Sequence, residues 1–404
     1  MDDPAFSPEV DETTQLILLH ASNHDLPALK PLLRVQGNAT VQDPETGYTP
    51  LHAAIAACSY ASSCEEADME KAKATVQELF MGGAIWNDLD TSDETPGCMA
   101  WRLGRKELYQ LCVEAGVRAE MLLGIMGGYE ELDSEDEEEE EQGEEAEVNT
   151  ETQPNGDSSG EVIIQAERKD VNSEDYLKSK LKFEDDKLLD ADDNGVMMTW
   201  ETDIMRRSVG LLLPDLKPGA RILNIGFGMG IIDRMFRETK PLSHHIVEAH
   251  PAVLQKLFSP VSDFGSTWQS SAPACGKYVI HAGKWQDIVP KLLEEGEVYD
   301  AIYFDTFGED YSQLKLFFSE YVVGLMDPEG RFGFFNGLGA DRRVCYDVYC
   351  KVAELDLCDA GMDVNWTDVE VGTLGGDGEG EWKGVRRRYW TLDKYRLPVC
   401  TFLG

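Results

Sequence analysis

Apolar and polar positions follow two different rhythms along this chain, separated by a stretch that has neither. Up to about residue 129 the apolar positions recur near helical spacing, at Leu16, Leu19, Leu26, Leu29, Leu32 and Leu33, with a break at Asn23-His24-Asp25. That pattern predicts short helices joined by tight turns. From residue 173 to 404 the rhythm changes to short β-branched and aromatic runs alternating with amphipathic segments. Arg221 to Ile225, His245 to Ala249, Lys277 to His281, Ala301 to Phe304 and Arg331 to Phe335 read as strands. Gly230 to Thr239, Pro251 to Leu257, Ile288 to Glu295 and Gln313 to Leu325 read as helices between them. This alternation predicts βαβ units and a mainly parallel sheet. Two last runs, Val364 to Val371 and Arg388 to Val399, are expected to add an antiparallel hairpin at one edge.

In the helical part, Thr49-Pro50-Leu51-His52-Ala53-Ala54 matches the T-P-L-H-x-A signature of ankyrin repeats, where a tight turn enters the first helix of a pair. A weaker echo stands at Thr95-Pro96-Gly97-Cys98, ahead of a helical run from Trp101 to Ala115. Gly82-Gly83 and Gly116 are expected to stop helices. Residues 1–129 are therefore predicted to be a small all-α, ankyrin-like domain. Residues 130–172 carry the unbroken acidic run Glu135 to Glu141. Like charges that dense cannot bury a core, so a disordered linker is expected there. Residues 173–404 form the α/β domain.

Charge narrows the partners. With 76 acidic against 36 basic side chains the formal net charge is −40, which argues against a phosphate-backbone partner and suits a basic one. No signal peptide or membrane-length apolar run is evident, so the reading is neither secreted nor membrane-bound. The nine cysteines have no CxxC pair or regular spacing, which points to reduced intracellular thiols and no metal site. A cytoplasmic and nuclear monomer is expected.

The chemistry concentrates where the first strand of the α/β part runs into Gly226-Phe227-Gly228-Met229-Gly230-Ile231 and then a helix. Glycines there let backbone approach a ligand closely. Glu248 ends the next strand, about 20 residues on, where an acid can grip ribose hydroxyls. Taken so far, the pattern fits either NAD(H) or S-adenosylmethionine. The loop favours the second, because it is GFGMG rather than the GxGxxG that seats a pyrophosphate. Asp305-Thr306-Phe307 adds an acid at the carboxyl edge of the fourth strand. Trp285 follows the third strand and is a candidate either for covering an adenine or for ordinary packing. Upstream, Glu201 sits near a helix start, where capping is the plainer role. A guanidinium is planar and permanently charged, and a site for it wants carboxylates that accept paired hydrogen bonds.

The segments VMMTWET, LNIGFGMGI, IVEAHP, AGKW and YFDTF, in this order and spacing, resemble guanidinoacetate methyltransferase from about Tyr176 to Gly404. The whole-chain layout is closer still to its fungal relatives with an N-terminal ankyrin-like extension, the type IV protein-arginine methyltransferases. That resemblance implies a Rossmann-like class I methyltransferase fold with a mainly parallel seven-stranded sheet, and S-adenosylmethionine as cofactor. It implies cofactor contacts from Gly226, Phe227, Gly228, Met229, Gly230 and Ile231 around the methionine part, from Glu248, Ala249 and His250 at the ribose, and from Lys284 and Trp285 at the adenine. Met197 and Met205 would flank the cofactor, with Asp305 beside its reactive end, and Tyr176 would belong to a lid. Glu201 and Asp305 would bind the guanidino group, with Asp305 the proton acceptor, and the product would be methylated on the internal (δ) nitrogen of arginine in a basic, ribosomal protein. The competing readings are a small-molecule guanidino methyltransferase, a nicotinamide-dependent oxidoreductase and an inactive scaffold. The loop pattern and the paired acids speak against the oxidoreductase.

Overall fold

The computed structural model describes residues 11–58, 66–133, 173–216 and 218–404; the acidic tract 134–172 lies outside them. The first part is all-α. Helices Glu12–Ser22 and Leu26–Leu32, Pro50–Ala57 and Glu66–Met81, Pro96–Arg102 and Lys106–Asp133 follow one another along it. Their shared core holds Ile17, Ala21, Leu29, Leu33, Leu51, Ile55, Val76, Leu79 and Leu108. Leu16 and Leu19, expected on the buried face of the first helix, are 41% and 53% exposed. Ile17 and Ala21, four apart, take that face instead.

Both Thr-Pro turns start helices in the same way. Thr49 caps Pro50–Ala57 and Thr95 caps Pro96–Arg102, each hydroxyl oxygen accepting a backbone N–H of the first turn, with proline where no donor is needed. His52 extends the first turn to the second. Its Nδ1 accepts from Thr49 N (3.2 Å), which leaves Nε2 to donate to the Glu94 carbonyl (3.0 Å). Gly82-Gly83 do follow a helix end, but Gly116 does not. The helix Lys106–Asp133 runs straight through it and on over residues 130–133, which the sequence pattern assigned to the linker. The physical reason is packing: a Cβ on Gly116 would stand 2.6 Å from Val348 Cγ2 and 3.0 Å from the Trp86 ring.

The second part is built on seven strands: β1 (Arg221–Ile225), β2 (Ser243–Glu248), β3 (Tyr278–Ala282), β4 (Tyr299–Phe304), β5 (Met326–Phe334), β6 (Met362–Glu370) and β7 (Lys394–Phe402). Their order is β3-β2-β1-β4-β5-β7-β6. The first five are parallel, while β7 runs antiparallel to both β5 and β6, which makes β6 the edge of the hairpin. β1 is central and reads Ile222-Leu223-Asn224-Ile225, all buried, as a parallel strand covered on both faces must. On either side of β1 the order reverses direction, and such a switch point opens a crevice at the carboxyl ends of the strands.

Two elements carry residues to that crevice from elsewhere. A three-stranded antiparallel ribbon, Lys182–Phe183, Lys187–Leu189 and Gly195–Met198, leads directly to Glu201. The long connection between β6 and β7 buries Trp382 and Trp390 against Trp200, and so returns residue 389 to the same place.

The two parts share a core. The helix Arg343–Asp359, after β5, sends Val344, Val348 and Val352 into the apolar cluster of the all-α region, while its Leu357 joins the core beside the sheet. Polar contacts frame the junction: Tyr109 donates to Asp347 Oδ2, and Tyr349 donates to Glu120 Oε2 at 3.2 Å. Gly97 is required here as well, since a Cβ would sit 2.6 Å from Val344 Cγ2.

Candidate active site

β1 ends in the glycine loop, and the geometry gives each glycine a reason. Gly226 has φ +92°, and a Cβ there would lie 1.9 Å from the Asp305 carbonyl oxygen, so the ends of β1 and β4 approach at backbone distance. Gly228 has φ +53° and faces Met197, whose Cε a Cβ would meet at 2.8 Å. Beneath the loop, Asn224 Nδ2 donates to the Gly226 carbonyl (2.7 Å) and to Asp233 Oδ2 (2.8 Å), and His244 Nε2 donates to Asp233 Oδ1 (2.9 Å). These three side chains are fully buried. The buried network fixes where the loop begins.

Glu248, at the end of β2, ties the loop from above. Its Oε2 accepts from Phe227 N (2.9 Å) and Gly228 N (3.3 Å), and its Oε1 from His250 N (2.6 Å). Burial pushes this carboxyl above its usual range, against the pull of those amides. His250 in turn holds the segment across the cleft. Its Nδ1 accepts from Ala252 N (3.1 Å), so Nε2 carries the hydrogen and donates to the Tyr176 carbonyl (3.1 Å). The Tyr176 ring leans on His250 and meets Phe307 edge-on. Between these walls lies a cleft at the carboxyl edge of the sheet. Gly283, at the end of β3, forms part of its wall, and a Cβ there would have nothing nearer than Ile288 at 3.7 Å.

Two acids meet beside this cleft. Asp305 lies in its wall, and among the described residues no side-chain hydrogen bond occupies its carboxylate. Burial, and then the charge of Asp233, raise it to about 7. Glu201 is 3% exposed and is raised well above the carboxylate range, first by burial and then by the charge of Asp305. Tyr389 works the other way: its hydroxyl donates to Glu201 Oε1, which favours the ionised form. Trp200 Nε1 donates to the Tyr389 oxygen (3.1 Å), completing a chain of donors that ends on the carboxylate. Glu201 stands at the N-cap position of the helix Thr202–Leu212, but its side chain makes no capping hydrogen bond and turns to Tyr389 instead. A buried carboxylate and a half-buried one, both with raised proton affinities and one with open hydrogen-bonding capacity, are chemically suited to a planar cation.

The chain is similar to curated proteins along nearly its whole length. Protein arginine N-methyltransferase 2 of Gibberella zeae is 58% identical, over 96% of this chain and 92% of its own. The Neurospora crassa protein of that name is 56% identical, over 96% of each chain. This chain belongs to the protein arginine N-methyltransferase 2 family. The guanidinoacetate N-methyltransferase family profile also matches, over residues 167–339. Among solved structures, Aeropyrum pernix fibrillarin with bound S-adenosyl-L-methionine aligns with TM-score 0.31 and 14% identity, over 50% of this chain and 76% of that one. Human methyltransferase-like protein 13 with SAH gives 0.33 and 17%, over 50% and 82%. With the observed strand order, membership of this methyltransferase family gives the Rossmann-like methyltransferase fold, preceded by an all-α region.

Within this family member, the residues singled out in the sequence divide by position. Tyr176, Met197, Gly226, Gly228, Glu248, Ala249, Lys284, Trp285 and Asp305 line the cleft. Phe227, Met229 and Ile231 line the groove on the other side of the loop, and Gly230 caps the following helix. Met205 is fully buried in the core beneath, and His250 acts through Tyr176. Trp285 contributes to the cleft from a buried position. Its ring packs edge-on against Phe304, Phe317 and Tyr321, and Nε1 donates to Glu309 at 3.0 Å. Packing and lining are therefore both true of it. Sequence reasoning missed Tyr389, which lies 188 residues from the acid it contacts and carries no local motif. It also missed Glu309, which gathers Trp285, Gln286 and Thr306. Glu309 stands four residues after Asp305, a spacing that was open to notice.

Proposed function

We propose that this chain transfers a methyl group from S-adenosylmethionine to the internal (δ) guanidino nitrogen of an arginine in a basic protein, with ribosomal proteins as the substrate class. The observation that carries the reading is the Glu201–Asp305 pair, with its raised proton affinities, at the edge of a cleft built from the glycine loop and Glu248.

The residues present fit the cofactor. Gly283 leaves space where a side chain would intrude, Gly226 and Gly228 bring bare backbone to the cleft wall, and the Asp305 carboxylate is open. Met197 flanks the methionine part beside Gly228, while Ala249, Lys284 and Trp285 border the nucleoside end. When bound, S-adenosylmethionine would supply an electrophilic sulfonium methyl with a neutral thioether as its leaving group. The protein's share is placement and charge. Glu201 and Asp305 accept hydrogen bonds from the guanidinium and draw its positive charge toward the nitrogens they hold. With the cofactor bound, the free nitrogen would take the methyl as the methyl–sulfur bond breaks and the electron pair stays on sulfur, leaving a neutral thioether. The proton of that nitrogen would pass to Asp305, the acid whose affinity lies near neutrality. Tyr389 keeps Glu201 oriented throughout.

A protein acceptor is supported over a small guanidine by family membership and by the helical region, whose two Thr-Pro turns suit an ankyrin-like interaction module. The acidic excess of the chain suits a basic partner located in the cytoplasm or nucleus. The test is to incubate the full chain with labelled S-adenosylmethionine and a basic ribosomal protein fraction, hydrolyse, and identify the methylated amino acid. δ-N-methylarginine is the expected product. Methylation of a terminal nitrogen would overturn the regiochemistry, and label appearing only on added guanidinoacetate would overturn the acceptor class.

A further inference from the structure

A second, more open cleft lies beside the first and shares Phe307 with it. Four loops wall it: Asn194-Gly195 ahead of the ribbon strand, Phe307-Gly308 just after Asp305, the loop from Gly337 to Asp341 after β5, and the Arg387–Tyr389 segment. We propose that this cleft receives the main chain of an extended peptide on either side of the target arginine, a reading that rests on the arginine methyltransferase activity proposed above.

Its position is the first reason. Phe307 stands in the walls of both clefts, and Tyr389, in the wall of the second, touches Glu201 with its hydroxyl. Phe307 also follows Asp305 by two residues, so the second cleft borders both acids. Composition of the wall is the second. Gly308 and Gly337 leave stretches of bare backbone in it, which close approach by another main chain requires. Its charged members are already paired, Asp341 with both Arg342 and Arg387, so the wall selects little about neighbouring side chains and leaves the arginine to be read at depth. Rigidity is the third. Asn336, at the root of the loop, is fully buried, with its N–H on the Tyr395 hydroxyl (2.8 Å) and its amide donating to the Tyr346 hydroxyl and the Arg396 carbonyl (both 3.1 Å). The loop then runs into the helix Arg343–Asp359, which the all-α region clamps. The cleft is thus preformed, and the helical region helps to hold its floor in place.

The experiment uses the full chain carrying Gly337→Phe or, from the opposite wall, Arg387→Trp. Gly337 has no left-handed backbone, and a Cβ there meets only the Phe335 ring edge, at 3.3 Å. Arg387 is half exposed. Initial rates are measured against a basic ribosomal protein fraction, alongside binding of S-adenosylmethionine and of methylguanidine, a probe that reaches only the carboxylate pair. The expected result is an apparent KM for the protein fraction raised about tenfold or more, with both small-molecule affinities within about threefold of wild type. An unchanged KM in both variants would overturn the docking site, as would a loss of methylguanidine affinity equal to the loss of protein affinity. Failure of the wild-type chain to label any arginine would instead overturn the underlying activity.

Discussion

The hydroxyl of Tyr389 donates its hydrogen to Glu201 Oε1, joining the long β6–β7 connection to the segment that follows the ribbon. This contact lowers the proton affinity of an acid that burial and the charge of Asp305 both raise. Removing it in Tyr389→Phe leaves Glu201 harder to ionise. A hydrogen bond to a charged group contributes about 1.5–3 kcal/mol, so kcat/KM is expected to fall about 10–100-fold. The acid limb of the pH profile should also move to higher pH. A variant with lower kcat/KM and an unmoved limb would show that the tyrosine merely packs.

Asp305 sets the pH dependence of the wild-type enzyme. With its proton affinity raised to about 7, kcat/KM should climb through neutrality and level off above it. The same shift affects stability, with a definite sign. An acid raised in the folded state favours folding while it is protonated, below its unfolded value near 3.8, and that advantage is lost as pH rises through about 7. Asp305→Asn should therefore melt above wild type at pH 8, by about 1–4 kcal/mol at most, and the margin should shrink toward pH 5. Thermal melts at the two pH values decide it, and a constant margin contradicts it.

Glu248 is expected to matter before any chemistry occurs. Glu248→Ala leaves the N–H groups of Phe227, Gly228 and His250 without their acceptor and slackens the glycine loop. Calorimetry should show S-adenosylmethionine affinity weakened about 30-fold or more, corresponding to roughly 2 kcal/mol or above. Affinity within about threefold of wild type would remove Glu248 from the cofactor site.

Much of this was legible beforehand. The five parallel strands announce themselves as apolar runs, and the glycine loop, Glu248 and Asp305 all close such runs, so the cofactor cleft follows from chain order alone. The second carboxylate was readable only through the family motif around Glu201, because nothing local distinguishes a buried acid from a capping one. Tyr389 was not readable, since its position depends on three tryptophans packing together from distant segments. The helix Arg343–Asp359 went unnoticed although Val344, Val348 and Val352 repeat at four-residue spacing, and with it the shared core of the two parts. Gly116 was misread for a related reason: a glycine inside a helix can serve packing as well as termination.

That junction gives its own prediction. Gly116→Val places side-chain atoms where Val348 and Trp86 already stand, and overpacking of this kind costs about 1–3 kcal/mol. The variant should melt several degrees below wild type as one transition, because the all-α region and the α/β part share apolar residues. Two separated transitions, with the second at the wild-type temperature, would mean that the parts unfold independently.

The central claim is that Asp305 and Glu201 hold and deprotonate the guanidine while other residues hold the cofactor. Asp305→Asn separates the two roles with little change of shape. Single-turnover methyl transfer to the basic protein fraction should fall by about 10³-fold or more, with S-adenosylmethionine affinity within about fivefold of wild type. Transfer at a near wild-type rate in that variant would contradict the account.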